Sequence, residues 1–350
     1  MKRSLDGTRE CGLLASATKN QKRPREDLMK VTATVAAAAL AVVLGSSIVH
    51  AQTNTPAWQM PPDSERCPSK WGAGDQRGSG NWMKPETVLR ATKLIKTGEV
   101  FELGDILSPD PKETFVNNSR TYNITTKFSV PKPNTRTENE ELITTELGQI
   151  GTQLDAFSHQ MYGDSFYNCF KLDDIATRKG FKKLGVENVG TLMSRGVMID
   201  VAALKGVEML EPGYVITETD LQQALAKENM TLQPGDIVVI NTGWGKLLGR
   251  DNARYEKSSP GLGSAAGMWL AKQDPMMIAA DNCCVEVRPS VPGTSLPVHS
   301  MMLIQYGIHL LENLRLEKLA EAKAYEFAFV MQPLKLKGAT GSNVAPVAIR

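Results

Sequence analysis

Strand-like and helix-like stretches intermix along this chain without a repeating βαβ period, and that irregularity narrows its possible folds more than any other feature. Gly196 to Val201 reads as a buried strand, Ile237 to Ile240 as another that leads into Gly243-Trp244-Gly245, and Met276 to Ala280 and Tyr325 to Met331 as two more. Between them lie helical stretches. One runs from Glu86 to Thr97, with Pro85 at its start and Gly98 at its stop. Another ends near Asn229 behind the capping-box sequence Thr217-Glu218-Thr219-Asp220. Ser264 to Lys272 and Leu316 to Lys323 complete the set. The pattern predicts a single mixed α/β domain of roughly 290 residues after processing.

That domain begins behind a long lead. Residues 1–28 are polar and basic, and Met29-Lys30 opens an apolar run from Val31 to Val49. The run ends in Val49-His50-Ala51, with small residues where a cleavage site before Gln52 needs them. Basic region, apolar region and cleavage site are the parts of a secretory signal peptide. Residues 1–51 are therefore expected to be removed and the protein to be periplasmic or secreted, with Met29 as an alternative start. The run is alanine-rich and broken by Gly45-Ser46-Ser47, so no stable membrane insertion is expected after cleavage. Residues 52–70, rich in proline, read as a linker or an arm wrapping the domain, and 71–350 as the catalytic domain.

The net charge of +2 sets up no field that would favour nucleic acid, which is excluded as a partner. Cleavage leaves Cys67, Cys169, Cys283 and Cys284, which an oxidising compartment lets pair in three full connectivities. Adjacent Cys283 and Cys284 rarely bond each other, because the geometry is strained. No Cys-x-x-Cys is present, which argues against a cysteine zinc site.

Histidine is scarce: His50 leaves with the signal peptide, and His159, His299 and His309 remain. The usual role of a lone histidine is structural. Around His159, however, Gln149, Gln153, Asp155 and His159 fall at spacings of four, two and four. On extended backbone that puts all four on one face, either a solvated strand face or a site that orients something polar. A second cluster holds His299, His309 and Glu312, where either histidine with Glu312 offers N and O ligands to a metal. A helical 308–313 segment would put His309 and Glu312 on one face, and an extended one on opposite faces. No Gly-x-Ser-x-Gly elbow is present, and Cys169 reads as structural rather than nucleophilic.

The segment Gln149-Ile150-Gly151-Thr152-Gln153-Leu154-Asp155-Ala156-Phe157-Ser158-His159 resembles the cyclase-family signature His-x-Gly-Thr-His-x-Asp-x-x-x-His. That family includes kynurenine formamidases and isatin hydrolases. Further likeness runs in order through Trp71-Gly72 with Asp75, Gly80-Asn81, Arg195-Gly196-Val197 with Asp200, and Thr242-Gly243-Trp244-Gly245. It continues through Ala280-Asp281-Asn282, Leu296-Pro297-Val298-His299 and Glu312-Asn313-Leu314. The resemblance implies a central mixed sheet or barrel-like β core flanked by helices. It also implies a divalent metal, zinc or manganese, held by Asp155, His299 and Glu312, with His159 as general acid/base.

Both signature histidines are glutamine here, Gln149 and Gln153. An amide is a weaker metal donor than imidazole, so these two are expected to bind a metal weakly or to hydrogen-bond a substrate. Longer members of the family often read Gly-Thr-Gln-x-Asp, which makes the glutamines a subfamily trait. The activity implied is hydrolysis of a small cyclic or aryl amide, lactone or ester. The alternative is an exported binding protein that has lost the metal. Trp71, Phe157 and Trp244 are expected to wall a flat ring unless they pack in the core. A homodimer or homotetramer is expected.

Overall fold

The computed structural model describes residues 58–114, 120–290 and 293–350, so the signal segment and its start lie outside the described residues. Among the described residues no helix is long and apolar enough to cross a membrane. In chain order the strands are β1 (Val100–Glu102), β2 (Tyr122–Lys127), β3 (Glu140–Thr145), β4 (Gln153–Asp155), β5 (Leu192–Asp200), β6 (Val215–Ile216) and β7 (Ile237–Asn241). They continue with β8 (Gly261–Leu262), β9 (Met277–Ala280), β10 (His309–Glu312), β11 (Glu326–Met331), β12 (Gly341–Asn343) and β13 (Val347–Ile349). Nine form one mixed sheet in the order β1-β13-β11-β5-β7-β9-β10-β4-β12, curled into a half-barrel and flanked by helices. The central strands β5, β7, β9 and β10 run parallel, and the outer pairs are antiparallel.

β7, β9 and the second half of β5 are apolar on both faces because both faces are covered. Val197 and Ile199 of β5, Val238 and Ile240 of β7, and Ile278 of β9 enter one core, closed over by Leu221, Leu225 and Leu270 from the helices Glu218–Lys227 and Ser264–Lys272. The alternate residues Met198, Ile237, Val239 and Met277 enter a second core with Phe101, Leu154, Leu319, Phe327 and Phe329. Each such side chain contributes about 1.5–3 kcal/mol by burial, so the two-sided pattern is strongly specified.

Several expected boundaries move, each for a local reason. β5 runs from Leu192 to Asp200, and Val201 already opens a helix capped by the Asp200 carboxylate on Ala203 N. The helix expected to reach Thr97 ends at Thr92, and Leu94 and Ile95 close tighter turns onto Ala91 and Thr92. Gly243-Trp244-Gly245 does not extend β7. Asp281 collects Thr242 N, Thr242 Oγ1 and Gly245 N, which bends the chain into a 3₁₀ turn at Trp244–Leu247. The helix read over Leu316 to Lys323 shortens to Glu317–Glu321. The capping box forms as read, with Thr217 accepting from Asp220 N and Asp220 from Thr217 N.

The described part of the arm lies on the domain. Trp58 and Met60 pack on the first core, and a disulfide joins Cys67 to Cys169. Cys283 and Cys284 are free thiols. β2 and β3 form a separate hairpin that the sequence pattern did not reveal, with Phe128, Val130 and Leu142 exposed.

Candidate metal centre

β4 and β10 pair antiparallel with Gln153 opposite Glu312, and Gln153 Nε2 donates to Glu312 Oε2 at 2.9 Å. Asp155 shares the Gln153 face, two residues on. His299 enters from the turn Pro297–His299, which continues as a π-helix over Ser300–Tyr306. Donor atoms of Asp155, His299 and Glu312 lie within 4.8 Å of one another, and all three residues are buried. His299 Nε2 is 3.0 Å from Glu312 Oε1 and 3.8 Å from Asp155 Oδ2.

Glu286 aims the imidazole. Its carboxylate accepts Val298 N at 3.1 Å and His299 N at 2.8 Å, and its Oε1 is 2.7 Å from His299 Nδ1. Engaging Nδ1 leaves Nε2 for the cluster, as in metal-ligating histidines generally. Nothing in Cys284-Val285-Glu286-Val287 marks this residue, because its partners come from a loop 12 and 13 residues away. Glu286→Gln should weaken divalent-metal binding about 10–100-fold, read by calorimetry. Unchanged affinity would mean that backbone alone holds the ring.

Burial pushes Glu312 up to about 8, against its His299 hydrogen bond and with Asp155 adding to the rise. At His299 burial works downward, but the hydrogen bonds to Glu286 and Glu312 outweigh it and hold the imidazole well above its ordinary range. The His299–Glu312 pair therefore holds a proton, which a divalent ion would displace. Gln153 Oε1 is buried without a hydrogen-bond partner. Flipping the amide would only set that oxygen against Glu312, so an acceptor stands beside the cluster with no donor. Two carboxylates, one oriented imidazole and a spare amide oxygen suit a divalent cation.

The even spacing of residues 149–159 ends in convergence without a continuous strand. Only Gln153–Asp155 is extended. Gly151 turns the chain at φ 52, where a Cβ would lie 2.4 Å from Leu107 Cδ2. Asn313 Nδ2 clamps that turn through Gly151 O at 2.7 Å, and Thr152 Oγ1 donates to Asn313 O. Gln149 Nε2 donates to Asp155 Oδ1 at 3.1 Å and lies 3.3 Å from His159 Nδ1. Because Asp155 fixes that amide nitrogen as a donor, neutral His159 accepts at Nδ1 and carries its proton on Nε2.

A cavity of about 360 Å³ opens over this end, with Gln149, Gln153, His159, His299, Cys283 and Glu312 among its walls. A neighbouring one shares His159, Gln160 and Leu296 and adds Trp58, Met161 and Tyr162. Trp71, Phe157 and Trp244 line neither, which corrects the expected ring wall. Trp244 is fully buried, with its indole N–H on Tyr255 O. Phe157 sits in the core between Tyr167 and His309, and Trp71 packs edge-on against Trp82. Large rings are usually spent on core area. The aromatics beside the site are Trp58 and Tyr162, which lie outside every motif segment.

His309 stands apart. β10 is extended, so His309 and Glu312 face opposite ways. Its ring stacks on Phe157, its Nε2 is 3.1 Å from Arg77 O, and burial lowers it to about 4, which keeps it neutral.

The cyclase family model matches residues 39–287, a stretch that includes Gln149 to His159 and stops short of His299. A crystal structure described as a novel cyclase is 35% identical, covers 81% of this chain and 98% of its own, and superposes with a TM-score of 0.72. Isatin hydrolase A from Ralstonia solanacearum is 18% identical, covering 72% of this chain and 92% of its own with a TM-score of 0.53. An isatin hydrolase bound to the product analogue thioisatinate is 21% identical, covering 76% and 98% with a TM-score of 0.53, a likeness of fold. No curated protein matches. With the family match spanning most of its length, the chain belongs to the cyclase family.

Proposed function

We propose that this chain is a metal-dependent hydrolase that opens or cleaves a small cyclic or aryl amide, or a related lactone or ester. The observation that carries the reading is the buried Asp155, His299 and Glu312 cluster, whose His299 and Glu312 line the cavity. These three would hold one divalent ion, zinc or manganese. Such an ion supplies carbonyl polarisation and a water acidic enough to attack near neutral pH. Once it has taken a proton at Nδ1, the His159 imidazolium would pass its Nε2 proton to the leaving nitrogen or oxygen. To take the water's proton, the ring must first release Gln149 from Nδ1. Gln149 and Gln153 offer amides to a polar substrate, and Trp58 and Tyr162 offer ring faces beside it.

The Cys67–Cys169 disulfide supports export to an oxidising compartment, periplasmic or extracellular. Exposed Phe128, Val130 and Leu142 around the hairpin offer surface for a homodimer or homotetramer.

Zinc and manganese per subunit, measured on protein purified without chelator, should come to about one ion. Turnover on a panel of aryl formamides, lactams and lactones should vanish with chelation. A metal-free protein that binds these compounds without turnover would support the second reading, a binding protein, which glutamine at 149 and 153 favours.

Metal affinity should rise with pH. Glu312 is raised to about 8, so its proton is bound below that pH and lost above it. Each unit of falling pH should weaken binding at least about tenfold where Glu312 is protonated, and because His299 is also held above its ordinary range, affinity should keep rising beyond that pH. Calorimetric titrations across that range check this, and equal affinity throughout would remove the shared proton.

A further inference from the structure

β9 runs out into Asp281-Asn282-Cys283-Cys284-Val285-Glu286, the segment that delivers Glu286 to His299. It also sets two free thiols in the cavity wall, Cys283 buried and Cys284 half-buried. Their sulfurs are 3.3 Å apart, and Arg288 Nη1 donates to Cys283 Sγ at 3.2 Å. The hydrolysis proposed above uses neither thiol. We propose that Cys283 and Cys284 are a reversible oxidation site for small hydroperoxides, closing to a vicinal disulfide that disturbs the Glu286 support of His299. The second half of this inference rests on the metal reading; the first does not.

The chemistry balances with one peroxide. The Cys283 thiolate attacks a peroxide oxygen. An S–O bond forms, the O–O bond breaks, and the leaving hydroxide takes the Cys284 proton to become water. The Cys284 thiolate then attacks the sulfenic sulfur. The S–S bond forms, the S–O bond breaks, and the sulfenic hydroxyl leaves as hydroxide, which becomes water by taking back from solvent the proton Cys283 gave up on ionising. Two thiols and one hydrogen peroxide give one disulfide and two waters. The sulfurs lose two electrons and the peroxide gains them.

Three features favour this site. The Cys284 hydrogen bond lowers Cys283 to about 6 against burial, and Arg288 adds to the drop, so the attacking thiolate is present at neutral pH. The resolving sulfur is already in contact. The backbone is also already bent, with Val285 at φ 57 and Glu286 N donating back to Cys284 O. Bonding adjacent cysteines bends the peptide between them, and strained disulfides are the readily reduced, regulatory kind. That bend falls two residues before the carboxylate that seats Val298 N, His299 N and His299 Nδ1.

The test is peptide mass mapping of the full chain after about one equivalent of hydrogen peroxide. The tryptic peptide holding both cysteines should lose about 2 mass units and resist alkylation, and a small thiol should restore it. Cys284→Ser should instead gain about 16 mass units at Cys283. Two thiols still open to alkylation in the wild type, or a gain of oxygen without a bridge, would overturn the site. In the same sample zinc affinity, read by calorimetry, should fall at least about tenfold on closure, the lower end for losing a carboxylate behind a ligating histidine. A bridge that leaves zinc affinity unchanged overturns the link to Glu286. Reduced protein that binds neither zinc nor manganese overturns that link and the metal reading together, while the mass change still decides the oxidation site.

Discussion

His299→Ala is expected to strip the metal and abolish hydrolysis. His299 is the only nitrogen donor of the buried cluster. Removing it leaves the Asp155 and Glu312 carboxylates close together with no imidazole between them, and repulsion then favours protonating one rather than binding a cation. It also leaves Glu286 buried without its Nδ1 partner, which costs about 1–3 kcal/mol of stability. Metal catalysis supplies several kcal/mol of transition-state stabilisation, so kcat/KM should fall about 10³–10⁵-fold. Metal per subunit should drop below about a tenth of the wild-type value. Circular dichroism should show a retained fold, since the neighbouring core residues Val298, Met301 and Met302 are untouched. His309→Ala is the matched control, because His309 lies on the far face of β10 and should leave metal content unchanged. A His299→Ala protein with full metal and turnover would place the chemistry elsewhere.

How much of this was legible depends on where each residue finds its partner. β7, β9 and the second half of β5 could be read because strands covered on both faces are apolar on both, whereas Ser194 and Arg195 hid the start of β5. The capping box could be read because its two bonds close within four residues. Much of the motif pattern, however, describes loops rather than chemistry. Asp75 collects Gly78 N, Asn81 Nδ2 and the Tyr167 hydroxyl, and Asp281 gathers the Thr242 turn. Such acceptors identify the family and say little about the reaction.

The site was half-legible. Spacing pointed to a shared face for Gln149, Gln153, Asp155 and His159, yet the contacts arise from a turn at Gly151 and a three-residue strand. Whether His309 or His299 joined Glu312 could not be read from spacing, because only the extended backbone of β10 decides which face each occupies. Glu286 gave no signal at all, since its role exists only through partners brought together by tertiary folding. The aromatics were misplaced because ring area is worth the same in any core, and only packing decides which rings face a cavity.

His159→Ala should lower kcat about 10²–10⁴-fold while leaving metal content intact, the range expected for removing a general acid/base. His159 lines the cavity but is not among the clustered donor atoms, so its loss should not loosen a cation. Its own anchor is the Gln149 amide nitrogen, 3.3 Å from Nδ1 and bonded as well to Asp155 Oδ1. Truncation frees that amide but leaves its bond to Asp155, so the Asp155 side of the cluster should hold its place. Two measurements separate the roles. Metal per subunit should match the wild type, and added imidazole should restore part of the lost rate, because a small diffusible base can occupy the space the ring vacates. His159→Gln, which keeps a polar group against Gln149 but cannot exchange a proton at neutral pH, should be as slow as the alanine variant. Loss of metal in either variant would make His159 a ligand. Full activity in His159→Gln would reduce it to a hydrogen-bonding group and remove it as the general acid/base.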